Sequence, residues 1–322
     1  MRSFLQRTGP MQSFTREDRK EENMEIQFKK PVLEDRELIK HYLSLQQSRS
    51  CELTFGNIYL WSCHYKVKFA VVEDMLIFQS ADETSYSFPI GRREGVKAAL
   101  ETLINHAKER GAEFKLHMVT PGQFDILEEL YPGRFEIEYD RDDADYVYEA
   151  EKLASLSGKK YHGKKNHINK FKRMYPDWSY EPLNDENVED CFQMALLWRR
   201  ENGCEADREK NAEMCVALNS LRLYKELGFC GGVLRVNGQV AAFTVGEPVS
   251  DDTMVVHIEK AMSDIQGAYT MINQQFVQHE CMDYQYVNRE DDVGEEGLRQ
   301  AKLSYHPAFL VEKGTVTQKA DI

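Results

Sequence analysis

Most of the familiar signposts of function are missing. The 322 residues hold no Gly-x-Ser-x-Gly, Walker A, HExxH or G-x-G-x-x-G stretch. That removes the usual hydrolase, nucleotide-kinase, zinc-protease and dinucleotide-binding signatures. No apolar run approaches the roughly 18 residues that span a bilayer. Runs such as Phe69-Ala70-Val71-Val72 and Met75-Leu76-Ile77-Phe78 are strand-sized. The seven cysteines, Cys51, Cys63, Cys191, Cys204, Cys215, Cys230 and Cys281, form no CxxC pair. An odd number without close pairs argues against a disulfide framework and a zinc knuckle, and reads as reduced thiols in a cytoplasm. Basic residues are in deficit, 41 against 54 acidic, for a net charge of −13. An acidic chain is a poor general binder of nucleic acid or of an anionic membrane.

What is present suffices for a packed core, with 42% hydrophobic and 11% aromatic residues. The length suggests two domains, or one large one. Residues 1–23 carry four arginines and no apolar h-region, so they read as a disordered tail rather than a secretory signal. Strand-like sequence begins at Met24, the expected functional start.

Periodicity predicts a helix over 32–45, hairpin strands at 66–72 and 75–80 around Glu73-Asp74, and a short strand at 85–89. A helix over 95–110 follows, then a strand at 114–119, a helix over 121–130 and a strand at 134–138. The second half repeats this order. Helices are expected over 185–201 and within 205–227. A hairpin turns at Asn237-Gly238 between strands at 230–236 and 239–246, because an Asn-Gly pair between apolar runs favours a primed turn. A strand at 253–261, a helix over 268–281, a strand at 284–288, a helix over 295–304 and a last strand at 308–313 complete it. Two α/β units of matching order predict a duplicated fold, residues 24–150 and 151–322, with mixed, largely antiparallel sheets.

Four stretches carry candidate chemistry. Gly158 to Arg173 holds seven Lys/Arg and no acid, a local inversion of field in an acidic chain. Ammonium groups interleaved with aromatic and amide side chains suit phosphates; the alternative is a solvated interdomain helix. The strand around His257, Glu259 and Lys260 buries a carboxylate, whose pKa tends to rise towards that of a general base, unless it is only one half of a structural ion pair. Gly267 opens a helix whose N-terminal N–H groups favour anions, or is simply a turn. The stretch from Tyr286 to Pro307 runs from a strand into an acidic helix start, where Asp and Glu suit the helix dipole. Its carboxylates lack calcium-loop spacing, and no metal is expected. Lys302 and Tyr305 share a helical face.

Taken together, LSGKKYHGKKNHINKFKRMYP, HIEKA, QGAYTMINQQF and YVNREDDVGEEGLRQAKLSYHP, in that order, resemble the bacterial family named after the C-terminal domain of phosphatidylglycerol lysyltransferase. The resemblance runs from about Met24 to the end. It implies two tandem acetyltransferase-like (GNAT) folds, as in the Fem peptidoglycan aminoacyltransferases. It also implies transfer of an aminoacyl group from aminoacyl-tRNA to an amine or hydroxyl, a lipid head group in the lysyltransferases. Those members carry a multi-helix membrane region ahead of this domain. Relatives that use acetyl-CoA have Gln/Arg-x-x-Gly-x-Gly/Ala at the pyrophosphate turn; with Gly267 at the first Gly, Asp264 and Tyr269 stand at the flanking positions.

The expectation is therefore a soluble, cytoplasmic tandem-GNAT acyltransferase that works by direct attack, with no tightly bound cofactor and an aminoacyl-tRNA or acyl-CoA co-substrate. Glu259 is the expected base and Tyr305 the acid, in a slot opened by splaying of the strands that carry Glu259 and Asn288. Lys160, Lys164, Lys165, Asn166, His167, Asn169 and Lys170 would hold donor phosphates, with Gln266, Gly267, Arg299 and Lys302. His257, Arg289, Glu290 and Asp291 would face a small-molecule, peptide or lipid head-group acceptor. The first domain reads as a non-catalytic copy. Two alternatives stay open, an acyl-CoA-dependent N-acetyltransferase and a non-catalytic sensor that kept the fold.

Overall fold

A computed structural model describes residues 26–319 and threads every strand into one sheet. The expected 1–23 tail lies outside the described residues. The first half contains α1 (Arg36–Ser44), α2 (Phe55–Tyr65), β1 (Lys68–Val72), β2 (Met75–Gln79), β3 (Tyr86–Ser87) and α3 (Val96–Glu109). It continues through β4 (Lys115–Val119), α4 (Pro121–Leu130), β5 (Phe135–Glu149) and α5 (Ala150–Ser155). Then come the basic helix α6 (His162–Met174), β6 (Ser179–Pro182), α7 (Val188–Glu201), α8 (Arg208–Arg222) and α9 (Tyr224–Leu227). The chain ends with β7 (Cys230–Val236), β8 (Gln239–Ser250), β9 (Thr253–Ala261), α10 (Ala268–Glu280), β10 (Tyr286–Asn288), α11 (Glu296–Leu303) and β11 (Phe309–Gln318).

Local chemistry sets the tightest turns. Glu73 and Asp74 both take left-handed φ (49° and 57°), as do Asn237 and Gly238 (51° and 76°). Two successive positive φ values are what a two-residue hairpin turn requires to match strand twist. Pro121 opens α4, where Thr120 and Gln123 form a capping box.

The sheet order is β1-β2-β3-β4-β11-β5-β10-β9-β8-β7-β6. Each half is an antiparallel meander followed by a crossover helix and one parallel joint, β3 with β4 and β9 with β10. The halves then exchange their last strands. β11 lies between β4 and β5, and β5 reaches across to β10. Three strand pairings, β4–β11, β5–β11 and β5–β10, thus cross the residue 150/151 division expected from sequence. β5 is also far longer than the expected 134–138. Its acidic stretch from Asp140 to Asp143 has no strand pattern, yet pairing with β11 carries the strand through it. Val311 pairs with Asp145 and Lys313 with Asp140, so Arg141 to Ala144 bulge out of register.

Three cores lie against this sheet. One packs α1, α2, α7 and α8 through residues such as Ile39, Phe55, Met214 and Phe243. The second sets α5, α6 and α10 on β7 to β9. The third sets α3 and α4 on the first-half strands. Sequence periodicity does not single out α2. Its run FGNIYLWSCHY is apolar nearly all round, and Thr54 starts it by accepting a hydrogen bond from the Asn57 N–H.

Candidate active site at the strand splay

β9 and β10 pair through only three residues each, ending at Val255 and Asn288. β9 continues to Ala261 while the other chain turns away, which leaves a gap between them. Asn288 enforces the turn. Its Oδ1 accepts the Glu290 N–H (2.7 Å), and its Nδ2 donates to Arg49 O (2.6 Å) and Asp145 Oδ2 (2.9 Å). Asn288 is fully buried, and these partners hold the chain where it leaves the sheet.

Side chains from the departing segment reach back across the gap to β9. His257 and Glu259 stand two residues apart and so share a face. Glu290 takes a left-handed backbone (φ 58°), which lets consecutive residues Arg289 and Glu290 both cross. Arg289 Nη2 donates to Glu259 Oε1 (3.0 Å), and Asn273 Nδ2 from α10 donates to Oε2 (3.2 Å). Tyr305 follows α11 and is buried beside them. Arg289 lies 4.9 Å from its ring centroid and Lys164 Nζ 3.8 Å. Burial pushes the Tyr305 phenol up against the pull of Arg289, so it keeps its proton. Burial, reinforced by Arg289, lowers the Lys164 ammonium to about 8. Two buried atoms in this group have no hydrogen-bond partner: Arg289 Nη1, a donor, and Asn273 Oδ1, an acceptor.

His257 is sealed in. Its Nδ1 lies 2.8 Å from Glu290 Oε1 and its Nε2 3.1 Å from Glu247 Oε1. Burial works against its charge, but the hydrogen bonds it donates to Glu247 and Glu290 outweigh it and raise the imidazolium to about 9. With its ring nitrogens engaged, His257 does not face an acceptor as expected. Glu247 also accepts the Gly56 N–H at 2.7 Å, which docks the start of α2 on this half.

Beneath Asn288, Lys313 is fully buried and donates to Asp145 (2.7 Å) and to Glu52, with Cys51 Sγ at 3.8 Å. Cys51, Glu52, Asp145 and Asp291 bring ligand atoms within 4.8 Å of one another, and Lys313 supplies the cation of that group. Asp291 is half-buried at its edge, its carboxyl raised to about 6 by burial and by Glu290 despite Lys313.

Two expected phosphate binders are occupied elsewhere. Arg299 pairs with Asp292 and Asp142, and holds the Asp292 carboxyl well below the usual range. The buried Lys302 ammonium donates to the carbonyl oxygens of Arg289 (2.7 Å) and Asp291. Both tie down the segment after β10, so neither is open to a donor. On α6, Ile168 and Phe171 are buried, whereas Lys165, Asn166, His167, Asn169 and Lys170 face solvent, with Lys160 just before the helix. α6 runs past the start of α10. A Cβ built on Gly267 would lie 3.4 Å from His167 O, and the Gln266 N–H donates to the Tyr175 hydroxyl (3.2 Å).

Sequence reasoning did not find Glu247, Asn273, Asp145 or Lys313. Asn273 and Asp145 border short apolar runs, Met271-Ile272 and Tyr146-Val147-Tyr148, and Glu247 interrupts Val245 to Val249, whereas Lys313 sits in a polar stretch. For the first three that placement was the available signal.

The mixed sheet, with one parallel joint in each half, β3–β4 and β9–β10, makes this an α/β protein of two halves with matching order. The family described as phosphatidylglycerol lysyltransferase, C-terminal, matches residues 44–314, and the chain belongs to that family. A conserved protein of unknown function from Bacteroides thetaiotaomicron superposes with a TM-score of 0.85 at 38% identity, covering 91% of this chain and all (100%) of that one. The C-terminal domain of a protein described as a lysylphosphatidylglycerol synthetase from Agrobacterium fabrum shares the fold, with a TM-score of 0.64 at 13% identity over 89% of this chain and 92% of that one. L-PGS from Bacillus licheniformis does so with a TM-score of 0.60 at 14% identity over the same shares, 89% and 92%. An uncharacterised protein of Mycoplasmoides gallisepticum is 24% identical over 169 residues, 52% of this chain and 54% of that protein, so the match spans about half of each. Among the described residues, no helix is long and apolar enough to cross a membrane.

Proposed function

We propose that this chain is an acyltransferase that moves an α-aminoacyl group from a phosphate-bearing ester donor, an aminoacyl-tRNA end, to an amine or hydroxyl at the β9–β10 splay. The observation that carries this reading is the unmatched pair Arg289 Nη1 and Asn273 Oδ1. Leaving a buried polar group unpaired costs about 1–3 kcal/mol, so such atoms call for a partner. A donor and an acceptor on two residues that grip the same Glu259 carboxylate complement the carbonyl oxygen and the α-ammonium of an aminoacyl group. An acetyl group offers only the first.

The remaining roles follow from chemistry. In this reading Arg289 Nη1 and the β9 main chain beyond Val255 receive the oxyanion of the tetrahedral intermediate. Tyr305, which keeps its proton, donates it to the leaving ester oxygen. Glu259 holds Arg289 and Asn273 in place and, as the base, takes the proton of the attacking nucleophile. Lys160, Lys165 and Lys170, with Asn166, His167 and Asn169, offer the donor's phosphates a basic edge. The acceptor class covers small amines, peptides and lipid head groups.

The test is single-turnover transfer from a 3′-O-aminoacyl-adenosine ester and from acetyl-CoA, paired with ligand-dependent melting. Transfer from the aminoacyl ester is expected. Asn273→Ala should cut it by about 10–100-fold, the worth of one hydrogen bond to a charged group. Glu259→Gln should lower turnover while donor binding survives. Equal use of acetyl-CoA, unaffected by Asn273→Ala, would refute the aminoacyl reading. Tight binding without turnover would make the protein a sensor.

A further inference from the structure

The geometry points to Lys164 as a self-acylation site, where the side-chain amine takes the acyl group of an activated ester as a stable amide. The inference rests on the reading above only in that the same cleft receives the acyl group.

Lys164 differs from the other lysines of the basic segment. It lies in the first turn of α6 with its stem half-buried, and its Nζ stands 3.8 Å from the centroid of the Tyr305 ring. Among the described residues it pairs with no carboxylate. Glu259, whose charge favours the Lys164 ammonium, already accepts hydrogen bonds from Arg289 and Asn273. The second cation over the same ring is Arg289, so the ammonium faces a like charge in a desolvated place. Both effects favour the neutral amine. With its pKa at about 8, about a quarter of Lys164 is unprotonated at pH 7.5, against roughly one in a thousand for an ordinary lysine. A neutral amine is the nucleophile that an ammonium is not. Beside it, the unpartnered Arg289 Nη1 can take the negative charge that develops on an attacked carbonyl oxygen.

The step balances without any oxidant or metal. The Lys164 nitrogen attacks the ester carbonyl carbon and an N–C bond forms. The C–O bond to the leaving group breaks, and its electron pair leaves with the oxygen. The proton lost from nitrogen goes to that oxygen or to water. The products are an amide on Lys164 and a free alcohol. Because an amide is a poor acyl donor, the modified chain is a trapped form with its cleft occupied.

The full-length protein is incubated with p-nitrophenyl acetate, and acetylation at every lysine is followed by peptide mass mapping. Lys164 should be modified at least about tenfold faster than exposed lysines such as Lys97 and Lys165, although it is less accessible than either. Lys164→Arg keeps a cation over the Tyr305 ring and should abolish the fast phase of p-nitrophenolate release. Modification of Lys164 no faster than that of exposed lysines overturns the inference, as does a fast phase that survives Lys164→Arg. Transfer to an external acceptor with Lys164 unmodified removes this inference and leaves the transferase reading standing. Fast labelling of Lys164 in a protein that transfers nothing does the reverse.

Discussion

His257 offers a quantitative check on the splayed strands, because its charge has a clear sign in the pH dependence of stability. In an unfolded chain the imidazole titrates at 6.5; in the fold, held between Glu247 and Glu290, it titrates at about 9. A folded pKa above the unfolded one means that the native state binds the proton more tightly. The stabilisation is fully present below pH 6.5 and is lost as pH rises through about 9. A gap of that size corresponds to about 3 kcal/mol at 1.36 kcal/mol per unit. The side chain is 4% exposed, so solvent screening removes little of it. The perturbation is His257→Gln, which keeps a hydrogen-bonding group but does not titrate. Urea unfolding of both proteins at pH 6, 7.5 and 9.5 gives the stability difference at each pH. The parent's advantage should shrink by about 3 kcal/mol between pH 6 and 9.5, most steeply above pH 7. Groups common to both proteins, including Lys164 and Asp291, cancel in that difference. Parallel curves would refute the reasoning, because they would mean that folding leaves the proton affinity of His257 unchanged and that the two carboxylates do not hold its charged form.

Lys313→Met should lower the unfolding free energy by about 3–5 kcal/mol in urea titrations, because it strands the buried Asp145 carboxylate; adding Asp145→Asn should recover part of the loss. Gly56→Ala should be destabilising by about 1–3 kcal/mol despite alanine's better helix propensity, since the new Cβ would fall 2.3 Å from the Phe229 ring and 2.4 Å from Glu247 Oε1. A raised melting temperature would show that α2 is not packed tightly on β8. Lys165→Gln with Lys170→Gln should leave the melting temperature unchanged, as both side chains are exposed. The same pair should flatten the log–log salt dependence of polyanion binding by about 0.7–0.9 for each phosphate that is no longer neutralised.

Local sequence determined much of this protein. The amphipathic spacing of Val96, Leu100 and Leu103 specified α3, the Asn237-Gly238 pair specified the β7–β8 turn, and the run of lysines on α6 marked a basic face whatever the fold. The order of elements, repeated in both halves, announced the duplication, and the four motif blocks announced the family. These features depend on neighbours within a turn or two of the chain, where periodicity and backbone preference act. Pairing across the sheet lies beyond their reach. Only the tertiary structure decided that the halves exchange β5 and β11, because a strand's partner is chosen by surfaces more than a hundred residues away. The same distance hid Lys313, which meets Asp145 only once β11 lies against β5. It also separated the expected site residues by role. Arg289, Glu259, Tyr305 and Lys164 converge, whereas Arg299, Lys302, His257 and Asn288 are consumed in holding the chain that forms the cleft. Residue type set what each side chain can do; burial and the partners brought to it by the fold set which of them remain free to do it.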